Sequence, residues 1–220
     1  MHQTVQNLLN INTQIKTKIS ELKYNNYKPE IIAISKTFSI SHILPLIDYG
    51  HIHFGENKVQ EAMEKWLEIK NKNKNIKLHM VGKLQSNKVK IALKIFDYIH
   101  SLDNLKLAKK ISEEQKKYEI KPKIFIQINV GEESQKSGIN IESLPNFSNE
   151  CRKLDLNIIG TMCLPPIDKD PIIFFPKMSK INNDQKFKDL SMGMSEDYLK
   201  AIKYYSTYLR VGSKIFGPRS

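Results

Sequence analysis

A regular alternation between short apolar runs and longer stretches of helical periodicity most constrains the fold of this chain of 220 residues. The short runs are rich in β-branched and aromatic residues, which is typical of buried strands. The eight predicted strands cover residues 31–35, 51–54, 78–82, 97–101, 123–130, 157–162, 190–194 and 208–212. A stretch that predicts a helix separates each strand from the next, and one more helix, over residues 3–23, precedes the first strand. Such strands are expected to pair in parallel, because a parallel connection is long enough to hold a helix.

Eight units of this kind predict an α/β protein that is a single (β/α)8 barrel of the TIM type, with an extra N-terminal helix. The alternative is an open doubly wound sheet, which has two edge strands and usually carries a glycine-rich fingerprint after its first strand. The stretch that follows the first predicted strand, residues 36–39, contains no glycine. We therefore favour the barrel and expect residues 1–220 to form one domain.

The start signals of two helices are polar residues. Ser41 is expected to cap the helix after the first strand, with Gly50 ending that helix, and Asp103 is expected to open the helix after the fourth strand.

The charge balance of the chain raises the question of nucleic-acid binding. There are 35 lysine and arginine residues against 23 acidic residues, a net charge of +12. Only three of the 35 are arginine, the residue that nucleic-acid readers favour for its bidentate fork, and the 32 lysines are spread along the chain. The sequence therefore predicts no nucleic-acid partner.

The cysteine and histidine residues indicate the cellular compartment and whether the chain can bind a metal. Two cysteines, Cys151 and Cys163, cannot build a disulfide framework or a four-cysteine metal site, so we expect a cytoplasmic protein. His51 and His53 fall on one face of a predicted strand, but no third ligand stands at a suitable spacing, so no metal is expected. No apolar run of about 18 residues is present and no secretory signal is evident, so no membrane partner is expected.

The residues at the carboxyl ends of the strands are the ones to examine, because function in a (β/α)8 barrel sits there. Lys36 follows the first strand, and its period-2 spacing places it on the face of Ile32 and Ile34. An amine among apolar neighbours loses its proton more readily and then forms imines with aldehydes. The alternative is an ordinary lysine whose stem lies along apolar surface.

The loops after the last two strands are the usual phosphate-binding loops of such barrels. Here they are residues 193–197 and 210–213. Ser195 offers a hydroxyl, and Gly212 and Ser213 offer backbone N–H groups that an anion can approach closely. The alternatives are a plain helix N-cap for Ser195 and a strand-ending turn for Gly212.

Arg210 lies two residues before Gly212, so the two share a face and Arg210 lies deeper in the barrel. A guanidinium in that place needs a partner. The partner is either a structural carboxylate or the pyridine nitrogen of a cofactor, which a permanently protonated group leaves unprotonated.

Six segments of the chain, taken in order, resemble one known family. They are IIAISKTFS (31–39), HFGENKVQEA (53–62), LHMVGKLQSNKVK (78–90), INVGEESQKSGI (128–139), LSMGMSEDYLKAI (190–202) and YLRVGSKIFGPR (208–219). The chain closely resembles the pyridoxal phosphate homeostasis protein family, the single-domain relatives of the alanine racemase barrel. The resemblance implies the barrel of fold-type III pyridoxal phosphate proteins.

The resemblance also implies a cofactor and the residues that hold it. The cofactor is pyridoxal 5′-phosphate, held as an internal aldimine on Lys36. Ser195, Gly212 and Ser213 are implied to bind its phosphate.

Two further positions complete the implied site, and two depart from the family pattern. Arg210 is implied to face the pyridine nitrogen, and Asn57 to lie near the cofactor ring. Lys83 stands where many relatives have proline, and Tyr205 stands where a glycine often precedes Ser206.

The implied function is the intracellular homeostasis of pyridoxal phosphate, a vitamin B6 role, and not catalysis. A racemase needs bases on both faces of the α-carbon, and only Lys36 is evident here. In two-domain racemases a tyrosine on an additional domain of the partner subunit is the second base. The sequence ends at Ser220, just past the eighth strand, so we expect that domain to be missing and the protein to be a monomer. The alternative is a slow, racemase-like enzyme that acts on amino acids, with a tyrosine or water as the second base.

Overall fold

The strands of the computed structural model, which describes residues 1–133 and 135–218, pair in parallel in the order of the sequence. The eighth strand pairs with the first, so the sheet closes into a barrel with no free edge. The strands are β1 Glu30–Ile34, β2 His53–Glu56, β3 Lys77–Met80, β4 Tyr98–Leu102, β5 Lys123–Ile128, β6 Ile158–Cys163, β7 Asp189–Met194 and β8 Tyr208–Val211. The predicted (β/α)8 barrel is confirmed, and the open sheet is excluded.

Helices surround the barrel and occupy the predicted stretches. Those in the described part of the chain are α1 Gln3–Glu21, α2 Ile40–Asp48, α3 Val59–Lys72, α4 Val89–Ile95, α5 Leu105–Tyr118, α6 Leu144–Lys153, α7 Phe175–Asp184, α8 Tyr198–Ile202 and α9 Ser213–Phe216. Helix α1 comes before the barrel, as predicted, and it contacts α2, α8 and α9. Short 3₁₀ turns at Ser86–Lys88, Ile141–Ser143 and Pro171–Ile173 precede α4, α6 and α7.

The two predicted helix starts are each displaced. Helix α2 begins after Ser39 and not after Ser41, because the chain is still extended at Ser39 and turns helical at the next residue. Asn104, not Asp103, caps α5, since its side chain accepts a hydrogen bond from the N–H of Leu107.

Two apolar cores lie on opposite sides of the sheet. The larger lies between the strands and the surrounding helices and includes Trp66 and Phe54, whose side chains are fully buried. The smaller fills the barrel itself, and its buried apolar residues are Ile32, Ile34, Tyr98, Phe125, Met162 and Tyr208. Inward and outward side chains alternate along each strand, so Ile32 and Ile34 point into the barrel, as period-2 spacing predicted.

Tyr205 has a left-handed backbone, with φ of 60°. This conformation costs an ordinary residue about 1 kcal/mol and glycine little, which gives a physical reason for the glycine of many relatives at this position. The tyrosine ring stacks on Tyr24 at a centroid distance of 4.3 Å. The departure from the family pattern therefore lies in a surface aromatic cluster, at the amino ends of the strands.

The structure also bears on membranes, cysteines and the chain end. No helix in the described residues has the length and apolar character needed to cross a bilayer. Cys151 and Cys163 are both buried free thiols. Arg219, the last residue of the family-like segment 208–219, lies outside the described residues.

Candidate functional site

A cavity of about 370 Å³ opens at the carboxyl ends of β1, β7 and β8. The described residues that line it are Ile34, Lys36, Phe38, Val81, Leu164, Met194, Ser195, Glu196, Asp197, Arg210, Gly212, Ser213 and Gly217. This set, hereafter the Lys36 cavity, includes five of the six predicted site residues. Asn57 is the exception. A lysine, an arginine and the loops after β7 and β8 therefore face one space.

Lys36 reaches the cavity because it continues the inward face of β1. Ile32 and Ile34 point into the barrel, and Lys36 is the next residue of the same parity, half-buried at the mouth. The following residue, Thr37, has a left-handed backbone with φ of 69°, so the chain turns sharply away after the lysine. The strand direction and this turn together aim Lys36 at the cavity.

A buried carboxylate fixes the chain just before Lys36. Glu56, at the end of β2, is fully buried, and its Oε1 accepts hydrogen bonds from three donors. They are Ser35 Oγ at 2.8 Å, Trp66 Nε1 at 3.0 Å and Lys65 Nζ at 3.1 Å. A charge this deep requires such partners, and here the partners tie β1 to β2 and α3.

The ammonium group of Lys65 extends the Glu56 network to the backbone that follows Lys36. Lys65 Nζ also donates to the carbonyl of Ser35 at 3.0 Å and to Glu61 Oε1 at 3.1 Å. Glu61 in turn accepts the N–H of Thr37 at 3.0 Å. Burial alone raises the pKa of Glu61, but the Thr37 N–H and the Lys65 ammonium outweigh it and hold the pKa below its ordinary value. Backbone groups on both sides of Lys36 are thus held by one charged network.

Arg210 lies at the floor of the cavity with only 4% of its surface exposed. Its Nη1 donates to Ser191 Oγ at 2.6 Å and its Nη2 to the carbonyl of Cys163 at 2.8 Å. No carboxylate among the described residues forms a salt bridge with it, so a structural ion pair is not its role. Burial lowers the pKa of the guanidinium from its usual value, yet an arginine stays charged in proteins.

The loops after β7 and β8 are joined by a hydrogen bond. The N–H of Gly212 donates to Ser195 Oγ at 3.1 Å. Asp197, not Ser195, is the N-cap of α8, so the plain N-cap interpretation of Ser195 is wrong. The backbone of Ser213 opens the short turn α9, where the first N–H groups have no partner within the turn. The hydroxyl and the backbone N–H groups are grouped as an anion-binding site requires.

The acidic residues Glu196 and Asp197 also line the cavity. Asp197 Oδ1 accepts the N–H of Met194, which holds the loop in place. Burial raises the pKa of Asp197, while the Met194 N–H and the Arg210 charge oppose that rise. The side chain of Asp197 is therefore engaged in the loop structure.

Asn57 lies apart from the other predicted residues. It lines a neighbouring groove together with Lys58, Gln60 and Lys83. Its Oδ1 is buried and has no hydrogen-bond partner among the described side chains and backbone groups. The loop after β3 packs closely against it, since a side chain at Gly82 would lie 2.3 Å from the Asn57 carbonyl oxygen.

The spacing of acidic and basic residues after β2 is a sequence signal for the Glu56 network. Glu61 follows Glu56, the last residue of β2, by five residues, and Lys65 follows Glu61 by four, which places Glu61 and Lys65 on one helix face. The burial of Glu56, however, depends on how α3 packs, which spacing does not reveal.

Comparison with known proteins places these observations in a family context. The family model described as the N-terminal domain of alanine racemase matches residues 12–220. The pyridoxal phosphate homeostasis protein of Haemophilus influenzae is 34% identical in an alignment of 225 positions that covers 97% of this chain and 95% of that protein. PipY of Synechococcus elongatus, solved without PLP, is similar with a TM-score of 0.81 at 29% identity, covering 92% of this chain and 100% of that one. PipY solved with PLP bound gives a TM-score of 0.76 at 28% identity, with the same coverage.

The Glu56 network predicts a specific pattern of stability. Lys65→Met leaves the Glu56 carboxylate buried without its cationic partner and is expected to lower the free energy of unfolding by about 3 kcal/mol. Adding Glu56→Gln, which removes the unpaired charge, is expected to restore part of that loss. Lys72→Met, on the exposed end of the same helix, is the control, with an expected change below about 0.5 kcal/mol. Urea unfolding measures all three, and equal losses for Lys65→Met and Lys72→Met would contradict the network.

Proposed function

The chain belongs to the family of alanine racemase N-terminal domains and, within it, to the pyridoxal phosphate homeostasis proteins, and we propose that it binds pyridoxal 5′-phosphate in the Lys36 cavity. Its role is the homeostasis of that cofactor. The observation that carries the proposal is that Lys36 and Arg210 face one cavity from β1 and β8, with the Ser195 and Gly212 loops beside them.

The chemistry of the cavity fits this cofactor. A volume of about 370 Å³ lies in the range of small-molecule sites. Arg210 is buried in the cavity floor and forms no salt bridge with a carboxylate of the described residues, so a polar ligand atom is a suitable further partner. The hydroxyl of Ser195 and the N–H groups of Gly212 and Ser213 offer donors to a phosphate.

Each residue of the cavity has a distinct task in this proposal. The cofactor supplies an aldehyde, which condenses with a primary amine to form a C=N bond with loss of water. Lys36 offers that amine, held at the mouth by the Glu56 network. The Ser195 hydroxyl, which accepts from the Gly212 N–H, would donate its own hydrogen to the phosphate, and the N–H groups of Gly212 and Ser213 would be further donors. Asn57, whose buried Oδ1 needs a donor, lies on the neighbouring side of the barrel mouth.

Arg210 determines what kind of site this is. Its guanidinium keeps its proton, so a ring nitrogen placed against it accepts a hydrogen bond and stays unprotonated. An unprotonated pyridine ring withdraws electrons less strongly than a protonated one.

The lining of the cavity supports a carrier over an enzyme. Racemization needs a base on each face of the α-carbon. Lys36 is one candidate base, but neither a tyrosine nor a histidine occurs among the described lining residues. Asp197 is occupied in holding its own loop.

The wider setting follows the same proposal. We propose that residues 1–220 act as one unit and as a monomer, since a single chain supplies every cavity residue named above. Two free buried thiols suit a cytoplasmic protein. Nucleic acid is not a partner in this proposal, because the lysines are spread along the chain and Arg210 is buried in the cavity.

Attachment to Lys36 predicts a visible absorption band. Wild-type protein titrated with pyridoxal 5′-phosphate is expected to give the band of a C=N linkage at one equivalent, and Lys36→Ala is expected to lose that band. Lys169→Ala is the matched control, because Lys169 is exposed on the loop after β6, at the same end of the barrel. A band of wild-type strength in Lys36→Ala would contradict the proposal, as would its absence from wild type.

The phosphate role of Ser195 predicts a loss that depends on the ligand. Ser195→Ala is expected to raise the Kd for pyridoxal 5′-phosphate about 10-fold, because a charge-assisted hydrogen bond is lost. The Kd for pyridoxal is expected to change less than about twofold, because pyridoxal has no phosphate to accept a hydrogen bond from Ser195. Fluorescence titration of both ligands measures the ratio. An equal loss for the two ligands would remove Ser195 from the phosphate site.

The carrier proposal predicts no sustained turnover. Highly purified protein loaded with pyridoxal 5′-phosphate is expected to racemize L-alanine, L-serine or L-glutamate no faster than Lys36→Ala does. Chiral chromatography over many hours measures the product. Multiple turnovers that vanish in Lys36→Ala would favour the slow enzyme instead.

A further inference from the structure

Three buried histidines form a continuous hydrogen-bonded string through the barrel interior. His53, His79 and His100 come from the consecutive strands β2, β3 and β4. His53 Nδ1 lies 2.9 Å from His79 Nε2, and His79 Nδ1 lies 2.9 Å from His100 Nε2. His79 and His100 are fully buried, and His53 is 7% exposed. We refer to these three residues as the histidine string.

Aromatic neighbours hold two of the rings in plane. His79 stacks on Tyr98 at a centroid distance of 4.1 Å, and His100 stacks on Phe125 at 4.3 Å. The ring orientations are therefore fixed by packing as well as by hydrogen bonds.

The string connects two charged groups at different depths of the barrel. At one end His100 Nδ1 lies 3.0 Å from Ser191 Oγ, the atom that accepts a hydrogen bond from Arg210 Nη1 at 2.6 Å. At the other end His53 Nε2 lies 3.9 Å from a carboxylate oxygen of Glu30, the first residue of β1, which is partly exposed at the opposite mouth. A cation and an anion thus terminate the string.

The position of every proton in the string follows from the Arg210 end. A guanidinium only donates, so Ser191 Oγ accepts from Arg210, and its own hydrogen is available for His100 Nδ1. His100 then carries its proton on Nε2 and donates to His79 Nδ1. His79 does the same to His53 Nδ1, and the remaining N–H, on His53 Nε2, points toward the Glu30 carboxylate.

The opposite tautomers, with the proton on Nδ1, leave the Ser191 hydroxyl and the His53 Nε2 lone pair without suitable partners. If each histidine carried its proton on Nδ1, Ser191 Oγ would accept from both Arg210 and His100, and its hydroxyl hydrogen would have no acceptor among the described residues. The lone pair of His53 Nε2 would also face the Glu30 carboxylate. A buried hydroxyl without a partner is unfavourable, so the Nε2–H arrangement is favoured.

We propose that the histidine string positions Arg210 for its ligand, with all three imidazoles neutral and in the Nε2–H tautomer. The string turns the Ser191 oxygen toward Arg210, and with the Cys163 carbonyl it fixes the plane of the guanidinium. His53, His79 and His100 are positioning residues, since none of them lines the Lys36 cavity. The ordering of Arg210 stands on the geometry alone, and its consequence for the ligand rests on the proposed function.

The neutral state of the string agrees with its surroundings. Burial holds the pKa values of His79 and His100 well below the usual value, and the Arg210 charge adds to this effect on His100. Burial lowers the pKa of His53 to about 4. The charged and titratable groups around His53 are Glu30, His51, Lys77, His79, Asp97, Tyr98, Lys123 and Tyr208. A cationic imidazole beside Arg210 would repel the guanidinium, so neutrality is a condition for its position.

The first experiment reads the tautomers directly in ligand-free protein at pH 7. In protein labelled with ¹⁵N-histidine, His53, His79 and His100 are expected to show the Nε2–H tautomer. Couplings between ¹⁵N nuclei across the two N–H···N hydrogen bonds identify the string among the six histidines. His42, which is exposed and lies outside the histidine string, is the internal control for the tautomer signals. Nδ1–H tautomers or protonated rings in the string would overturn the proposal.

The second experiment tests positioning with a matched pair of variants. His79→Phe keeps a ring against Tyr98 but breaks the string, whereas His79→Gln retains one donor and one acceptor. The chain has only three arginines, so ¹⁵N-arginine labelling gives few side-chain signals. Resolved Nη signals of Arg210 are expected in wild type and in His79→Gln, and broadened, averaged signals are expected in His79→Phe.

Ligand binding then connects the string to the proposed function. His79→Phe is expected to raise the Kd for pyridoxal 5′-phosphate and for pyridoxal alike, about 10-fold, and His79→Gln less than about threefold. Unchanged Arg210 signals in His79→Phe would overturn the positioning role. If His79→Phe does not fold, loss of resolved Arg210 signals in His79→Gln while its His100 keeps the wild-type tautomer would also overturn it. Failure of wild type to bind either ligand would contradict the proposed function and leave the ligand-free spectra to decide on the string.

Discussion

The pairing of β1 with β8 is the interaction on which the functional site depends. It closes the barrel and sets Ile32 opposite Arg210, so the end of the first strand and the end of the last strand meet across one ladder of hydrogen bonds. Residues separated by most of the chain length therefore share a cavity. Without this closure Lys36 and Gly212 would lie on opposite edges of an open sheet, and no single small molecule could contact both.

Buried charge gives the site its rigidity and makes it costly to disturb. Glu56 and Arg210 are both almost fully buried. Glu56 accepts hydrogen bonds from Ser35 and from two residues of α3, and Arg210 donates to one residue of β6 and one of β7. An unsatisfied charge at either position would cost several kcal/mol, so both side chains have few alternative positions. The two networks act on different residues of the cavity, because Glu56 and its partners hold the backbone around Lys36 and Ser191 holds Arg210. The protein thus presents an amine and a guanidinium at fixed places before any ligand arrives.

The sequence predicted the parts of this arrangement that depend on local periodicity. Alternation along β1 placed Lys36 on the inward face, and the eightfold repeat of strand and helix predicted the barrel. The sequence did not predict which polar residue begins a helix. Ser39 and Ser41 are both suitable caps, as are Asp103 and Asn104, and the choice depends on the exact residue at which the chain turns helical.

Features that depend on contacts between residues far apart in the sequence could not be predicted from periodicity. The histidine string needs the relative register of three strands, which short sequence patterns do not encode, and His51 was wrongly placed on the β2 strand beside His53. Asn57 lies in a neighbouring groove because the tight approach of Gly82 shapes the loop there. The identity of the cofactor came from the resemblance to a family, since an amine and an anion site alone suit several phosphorylated aldehydes.

We propose that one lysine among 32 holds the cofactor, and chemical trapping identifies which lysine it is. Protein mixed with one equivalent of pyridoxal 5′-phosphate is reduced with borohydride, digested and mapped by mass spectrometry. A single reduced adduct is expected, on the peptide that contains Lys36. Adducts distributed over exposed lysines, with no excess at Lys36, would contradict it and leave the cavity without its proposed ligand.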